Sequence, residues 1–252
     1  MSARPAMLVT GGAKRIGAAI ARAFAGAGWH VVIHYGRSRT QAETLAAELP
    51  SAEIAGCDLD DWGESRAMLA GLAERLEDWR VLINCASVFD LDTAQDLKPD
   101  VFETAMRVNA GNPARLGQAF LAHARSPEGR RLIHVTDQKL RNPNPDFFSY
   151  TMSKHALASA IPMLSMTRPD PRDRVYGIAP GAILASHDQT EAETEVSHRM
   201  NLLRRKATPK DIAGTALFLA GGWLASGETV FVDSGQHLLA QNRDVLFLAR
   251  QT

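Results

Sequence analysis

The chain is short of the features that mark secreted, membrane and nucleic-acid-binding proteins. It has two cysteines in 252 residues, Cys57 and Cys85, each inside an apolar stretch. That excludes a disulfide scaffold and favours buried free thiols, with a single bridge as the alternative. Neither sign of charge is in excess, 28 Lys and Arg against 28 Asp and Glu. No global field therefore draws the chain to nucleic acid or an anionic membrane. No apolar run approaches the roughly 20 residues of a membrane span, and Met7-Leu8-Val9-Thr10 has the pattern of a strand rather than the core of a leader peptide. A cytoplasmic location is expected. The sequence has no repeat with a period of about 20–50 residues, and no Pro/Gly/Ser-rich linker divides it. With 45% hydrophobic residues, one globular domain over residues 1–252 with a large buried core is the expectation.

What is present is alternation. Short apolar runs span Ala6 to Thr10, His30 to Tyr35, Glu53 to Cys57, Arg80 to Asn84, Arg131 to Thr136, Arg174 to Ile178 and Thr229 to Val232. Between them, apolar residues recur at helical spacing: Ile16, Ile20 and Phe24; Met68, Leu72 and Leu76; Ile212 and Ala216. Strands alternating with amphipathic helices imply βαβ units and a parallel sheet covered on both faces. Right-handed crossovers make that a doubly wound, Rossmann-type α/β fold. Two segments fit less well. Pro162 falls inside the helix expected around Tyr150 and should kink it or require local repair. Residues 182–208 form a long polar connection, the kind that serves as a lid or binding loop.

The first strand runs into Thr10-Gly11-Gly12-Ala13-Lys14-Arg15-Ile16-Gly17. Glycines between a strand and a helix allow a tight turn and close backbone approach to a pyrophosphate at the helix N-terminus. A binder of NAD carries an acid at the end of the second strand to hold the ribose 2′-hydroxyl. Here that strand ends His34-Tyr35-Gly36-Arg37-Ser38-Arg39. With guanidinium groups in place of a carboxylate, Arg37 suits a 2′-phosphate, and NADPH is the expected cofactor. Asp58 follows the third strand, placed either to accept from the adenine amino group or to cap the helix near Trp62. Asn84-Cys85-Ala86-Ser87 closes the fourth strand with small residues that suit passage of a ribose or nicotinamide.

Tyr150-Thr151-Met152-Ser153-Lys154 puts a phenol and an ammonium on one helix face, their Cβ atoms about 5–6 Å apart. The lysine charge is expected to favour the phenolate and lower the tyrosine pKa, making a proton donor usable near neutrality.

In this order, these elements resemble the short-chain dehydrogenase/reductase superfamily over nearly the whole chain. The matching residues are Thr10-Gly11…Gly17, Asn84…Ala86, Asn109, Tyr150…Lys154 and Pro180-Gly181. The resemblance implies hydride transfer, with Tyr150 donating or orienting a proton. It implies that Lys154 holds the nicotinamide ribose and that Asn109 supports a water relay; a buried asparagine at a helix kink is the plainer account of Asn109. Most members carry a serine thirteen residues before the tyrosine, and here Asp137 stands there. A carboxylate would repel a carbonyl oxygen that is becoming negative, and beside Tyr150 the two should titrate together. The pair suits a nitrogen heterocycle better than an alkoxide.

That substitution is similar to the pteridine reductases and the bacterial dihydromonapterin reductases. So are Arg15, where most relatives have glycine, His34-Tyr35…Arg37-Ser38, and Asn84-Cys85-Ala86-Ser87-Val88-Phe89. The resemblance implies that Arg15, Ser87 and Phe89 hold a pterin, Phe89 stacking it against the nicotinamide. It also implies a homotetramer. The expected activity is NADPH-dependent reduction of a dihydropterin, dihydromonapterin-like, with dihydrofolate as a further substrate. The rivals are a ketone or oxoacyl reductase and an NADP(H)-binding regulatory protein that has lost catalysis. The tail from Gln236 to Thr252 is apolar at Leu238, Leu239, Val245, Leu246, Phe247 and Leu248; it should pack on its own core or on a neighbouring subunit.

Overall fold

Seven parallel strands form one sheet in the computed structural model, which describes residues 4–185 and 189–251. They are β1 (Ala6–Val9), β2 (His30–Tyr35), β3 (Ala52–Gly56), β4 (Trp79–Asn84), β5 (Arg131–Val135), β6 (Arg174–Pro180) and β7 (Thr229–Val232). Their order across the sheet is β3-β2-β1-β4-β5-β6-β7. Each lies within two residues of the run expected from the sequence. The helices are α1 (Arg15–Gly26), α2 (Arg39–Glu48), α3 (Trp62–Arg75), α4 (Pro99–Ala105), α5 (Asn112–His123), α6 (Phe148–Met166), α7 (Glu191–Ser197), α8 (Pro209–Ala220) and α9 (Val245–Ala249).

Because strand side chains alternate between faces, an apolar run buried in a parallel sheet feeds two cores. Met7, Val9, Val31, Ile33, Ile83 and Ile178 pack with Ile20 and Phe24 of α1 and Ile212 of α8 on one face. Leu8, Val32, Leu82, Leu132 and Val175 pack with Leu72 of α3, Phe120 of α5 and Ile161 of α6 on the other. Strand order reverses between β1 and β4, and ligands of such sheets bind in the crevice beyond the strand C-termini at that point.

Three expectations about irregular segments meet the structure here. Pro162 lies inside α6 without ending it, the helix running on to Met166. The 182–208 connection contains α7, started by a capping box in which Thr190 Oγ1 accepts from Glu193 N and the Glu193 carboxylate accepts from Thr190 N. Residues 186–188 of that connection, His187 among them, lie outside the described residues. The tail packs on its own subunit, with Val245, Leu246 and Ala249 buried, although Leu238 is 66% exposed. Among the described residues no helix is long and apolar enough to cross a membrane.

Candidate active site

The glycine turn is fixed from two directions. Thr10 Oγ1 accepts from the backbone of Cys85 (2.9 Å) and Ala86 (3.1 Å), tying the end of β1 to the end of β4. His34 Nδ1 accepts from Gly11 N at 3.1 Å while its Nε2 faces Cys57 O at 3.1 Å. That arrangement requires the neutral ring with the proton on Nε2, and burial lowers the His34 pKa to about 4. Gly11 has φ +64°, and a Cβ on Gly17 would come within 2.2 Å of Gly11 O. The absence of side chains at these two positions lets the turn fold tightly onto itself and onto Ala86, which brings the N-terminus of α1 up to the cavity. Arg15 and Ile16 open that helix and, with Gly17, line the cavity. Arg15 is left-handed at φ +53°, and its Nη2 donates to Ala185 O at 3.0 Å, at the start of the 182–208 connection.

At the end of β2, Arg39 is taken up by Glu43 at 2.8 Å. Arg37 is exposed and makes no hydrogen bond or ion pair among the described residues, and Ser38 caps α2 with no side-chain bond. Tyr35 is half-buried beside them. Of the two guanidinium groups the sequence offered, Arg37 is thus the uncommitted one. Asp58 is not the cap of α3. That role falls to Asp61, which accepts from Glu64 N at 3.0 Å, whereas Asp58 Oδ1 accepts from Asp60 N at 2.9 Å in a local turn.

Beyond β5 lies the chemical centre. Asp137 Oδ2 accepts from Tyr150 Oη at 2.7 Å, and Asp137 Oδ1 accepts from Lys139 N at 2.9 Å. Lys154, 3% exposed, donates to Val135 O at 3.0 Å. Burial lowers the Lys154 pKa to about 8. The expected acidification of Tyr150 is reversed here: burial first, and then the Asp137 carboxylate, raise its pKa well above the ordinary value. Burial likewise raises Asp137. Lys154 Nζ stands 5.5 Å from the Tyr150 ring centroid and spends its bond on a carbonyl, so desolvation outweighs its charge. Two acids joined by one short hydrogen bond favour keeping a proton between them.

Asn109 sits in a π-helical turn, Met106–Gly111, that bends the path from α4 into α5. Its Oδ1 accepts from Ser87 Oγ (3.0 Å) and Val88 N (2.8 Å), while its Nδ2 donates to Val88 O and Ser153 Oγ, both at 3.0 Å. The side chain is committed to protein partners, which is the helix-kink role. It also holds Ser87 at the cavity edge. Asn84 donates to Pro113 O and approaches His134 Nδ1, beneath the cavity rather than in it. Ala86, Ser87 and Phe89 face the cavity, as do Pro180 and Gly181 at the end of β6. Phe89 stacks on Phe147 with centroids 4.1 Å apart and meets Tyr150 edge-on at 4.5 Å.

Residues 11–237 match the family described as enoyl-(acyl carrier protein) reductase. The chain belongs to the short-chain dehydrogenase/reductases. A structure of FolM alternative dihydrofolate reductase 1 from Brucella canis, complexed with NADP, is 31% identical. It superposes with a TM-score of 0.88 over 97% of this chain and 98% of that one. The angucycline C-6 ketoreductase LanV with bound NADP is 28% identical, with a TM-score of 0.82 over 93% and 96% of the two chains. The 7alpha-hydroxysteroid dehydrogenase of Escherichia coli K12 is 28% identical over 246 residues, 90% of this chain and 92% of its own.

In this short-chain dehydrogenase/reductase the cavity measures about 690 Å³ and extends past the expected residues. Cys85 and Gln138 line its floor, Gln189, Ser197 and His198 enter from the α7 segment, and Asp244, Val245 and Leu246 enter from the tail. Burial raises the Cys85 thiol to about 11, so it is an inert wall. The spacing Thr190-x-x-Glu193 is the signal that could have placed α7 in the 182–208 connection; the tail was legible as an apolar packing segment but not as a wall of the cavity.

Proposed function

We propose that this protein reduces a 7,8-dihydropterin, dihydromonapterin-like, to the tetrahydro form with NADPH, and acts more weakly on dihydrofolate. The observation that carries the proposal is the 2.7 Å bond between Asp137 and Tyr150. A carboxyl group where relatives place a serine hydroxyl is the wrong partner for an incipient alkoxide and a good one for a ring bearing N–H donors and nitrogen acceptors. The likeness to the Brucella enzyme points the same way.

The cofactor cradle fits NADPH: Gly11 and Gly17 let the turn close tightly on Ala86 and on itself, which brings the N-terminus of α1 to the cavity where a pyrophosphate would lie. Exposed Arg37, with Ser38 and Tyr35, holds the 2′-phosphate end. Asp58 lies towards the adenine, Lys154 holds the nicotinamide ribose, and Ala86, Pro180 and Gly181 shape the passage between, with Asn84 supporting the end of β4 from beneath. Bound NADPH supplies a hydride from nicotinamide C4 to pterin C6. Phe89 stacks the pterin, and Arg15 and Ser87 fix its edge. Asp137 and Tyr150 form the polar wall, and N5 takes its proton from water. The enzyme assembles as a homotetramer, and exposed Phe218 (50%) and Trp223 (80%) provide apolar surface for such assembly.

The carbonyl-reducing reading has the hydroxysteroid and angucycline relatives behind it. Steady-state NADPH oxidation decides between them, with 7,8-dihydromonapterin or dihydrobiopterin set beside a ketone and an oxoacyl thioester. The expected result is efficient pterin turnover that falls by about 10²–10⁴ in Tyr150→Phe and Asp137→Ala. Turnover of the carbonyls alone discards the pterin reading. Tight NADPH binding with no turnover at all favours a regulatory protein.

A further inference from the structure

The catalytic pair is joined to the C-terminal tail by a buried ionic latch. The Asp137 carboxylate that accepts from Tyr150 also accepts from Lys139 N. Lys139 Nζ, whose charge reaches Asp137, donates to Asn144 Oδ1 and Asp146 O and meets Asp244 Oδ2 at 2.8 Å, with the two side chains 4% and 13% exposed. Asp146, four residues before Tyr150, holds Arg243 Nε at 2.7 Å and Asp244 N at 2.8 Å. Asn142 and Gln241 exchange hydrogen bonds of 2.9 and 3.0 Å, and Gln241 Nε2 continues to Met200 O at 2.8 Å, beyond α7. On the far side Arg250 pairs with Glu193 of α7 at 2.7 Å. Between these ties, Val245 and Leu246 are buried and line the substrate cavity.

This much ionic structure is costly to bury unless geometry requires it. An apolar tail needs only apolar packing to lie down, yet here three residues of the 139–146 loop, Lys139, Asn142 and Asp146, fix its register. We propose that the tail, residues 241–250, is the substrate gauge of this enzyme. The latch sets Val245 and Leu246 as the wall against which the non-reacting substituent of the substrate rests, and it props α7 over the cavity. This inference rests on the pterin reading for the identity of that substituent. It assigns Lys139, Asp146 and Asp244 as positioning residues, since none of them is asked to touch the reacting atoms.

Two variants test it separately. Val245→Ala/Leu246→Ala widens the wall and leaves the latch intact. Lys139→Met/Asp244→Asn removes both charges together, so neither is left unpaired, and asparagine keeps the cap on Leu246 N that Asp244 Oδ1 now provides. For the widened wall, the ratio of kcat/KM for dihydrofolate to that for dihydrobiopterin should rise about tenfold, as loss of methylene-sized contacts does in specificity pockets. For the unlatched protein, KM for dihydrobiopterin should rise about tenfold with kcat little changed, and trypsin should cut faster at Arg199, Arg204 or Arg205 behind α7. In both, the NADPH dissociation constant read by fluorescence should stay within about twofold. An unchanged substrate ratio in the folded wall variant overturns the gauge, and so does NADPH binding that weakens in step with KM. If the unaltered protein turns over no pterin or folate, the pterin reading fails by itself. The same variants, measured with ketones of graded size and with trypsin, then decide the role of the tail.

Discussion

At position 15 the backbone enters the left-handed region, φ +53°, where an L-residue other than glycine pays about 1–2 kcal/mol. Here an arginine is kept at the mouth of the cavity, reaching across to Ala185 O. Strain retained at a ligand site is a reason to look for a function that repays it. Arg15→Gly relieves the φ strain and loses one exposed hydrogen bond. Thermal unfolding should show a melting temperature unchanged or raised by a degree or two, while pterin kcat/KM falls at least about tenfold. A clear drop in melting temperature with pterin kinetics intact would make Arg15 a scaffold residue. The same competition between local cost and site chemistry governs Tyr150. Lys154, four residues on, is buried beside it, but burial first and then the bond to Asp137 keep the proton on the phenol.

Among the elements, α6 carries Tyr150 and Lys154, the side chains proposed for the chemistry, and its first turn is set from outside. Phe147 precedes it at φ +52° with no side-chain cap, and the free N-terminal groups are satisfied by Asp92. Asp92, 2% exposed, accepts from Ser149 N at 3.0 Å and from Ser149 Oγ. Asp92→Ala removes a carboxylate at a positive helix end and leaves buried donors unpaired. The expected loss is about 2 kcal/mol of stability by urea titration, together with a several-fold fall in kcat as Tyr150 loosens; stability unchanged within about 0.5 kcal/mol would show that the cap contributes nothing. These features also mark how far the sequence could be read. The strands were legible because each is a short apolar run bounded by polar turns, the inner ones buried on both faces and the edge strands β3 and β7 partly buried. The glycine turn and the Tyr150/Lys154 pair were legible because their chemistry depends on short spacings, whereas Asp137 was legible only through the resemblance, as a departure from the serine expected at that position. Asp92 with Ser149, Lys139 with Asp244 and Asn142 with Gln241 were not, because each bond joins residues from different elements and leaves no periodic trace. The pKa of Tyr150 went the wrong way in sequence because spacing reveals the nearby charge and says nothing about desolvation.

Over the whole molecule, buried neutral histidines tie stability to pH. Burial lowers His34 to about 4 and, with the Lys154 charge adding to it, His134 to about 3. His134 Nε2 has no hydrogen-bond partner among the described residues, so protonation would place an uncompensated cation beneath the cavity. Both folded-state values lie below the unfolded value near 6.5. As pH falls from about 6.5 towards 4, the unfolded chain binds protons that the folded chain refuses, and stability declines. Each histidine contributes up to about 1.4 kcal/mol per pH unit in that window. Asp137 opposes them in part, since its raised pKa lets the folded state take a proton earlier than the unfolded state. The salt-bridged Glu53 and Asp60, held below their ordinary values, act in the same direction as the histidines but only below about pH 4.5. Urea titrations of the NADPH-free protein between pH 6.5 and 4.5 should therefore show stability decreasing with acidification. In His134→Leu, which keeps the volume but has no proton to gain, the slope should flatten by about one proton's worth. Absolute stability at pH 7 should change little, because the orphaned Nε2 donor goes while the Asn84 Nδ2 proton accepted by His134 Nδ1 loses its partner. An unchanged slope would mean that the folded state admits a charged His134 or satisfies its Nε2. The polar cluster of Asn84, His134 and Lys154 would then be a hydrated part of the active site rather than a dry support beneath it.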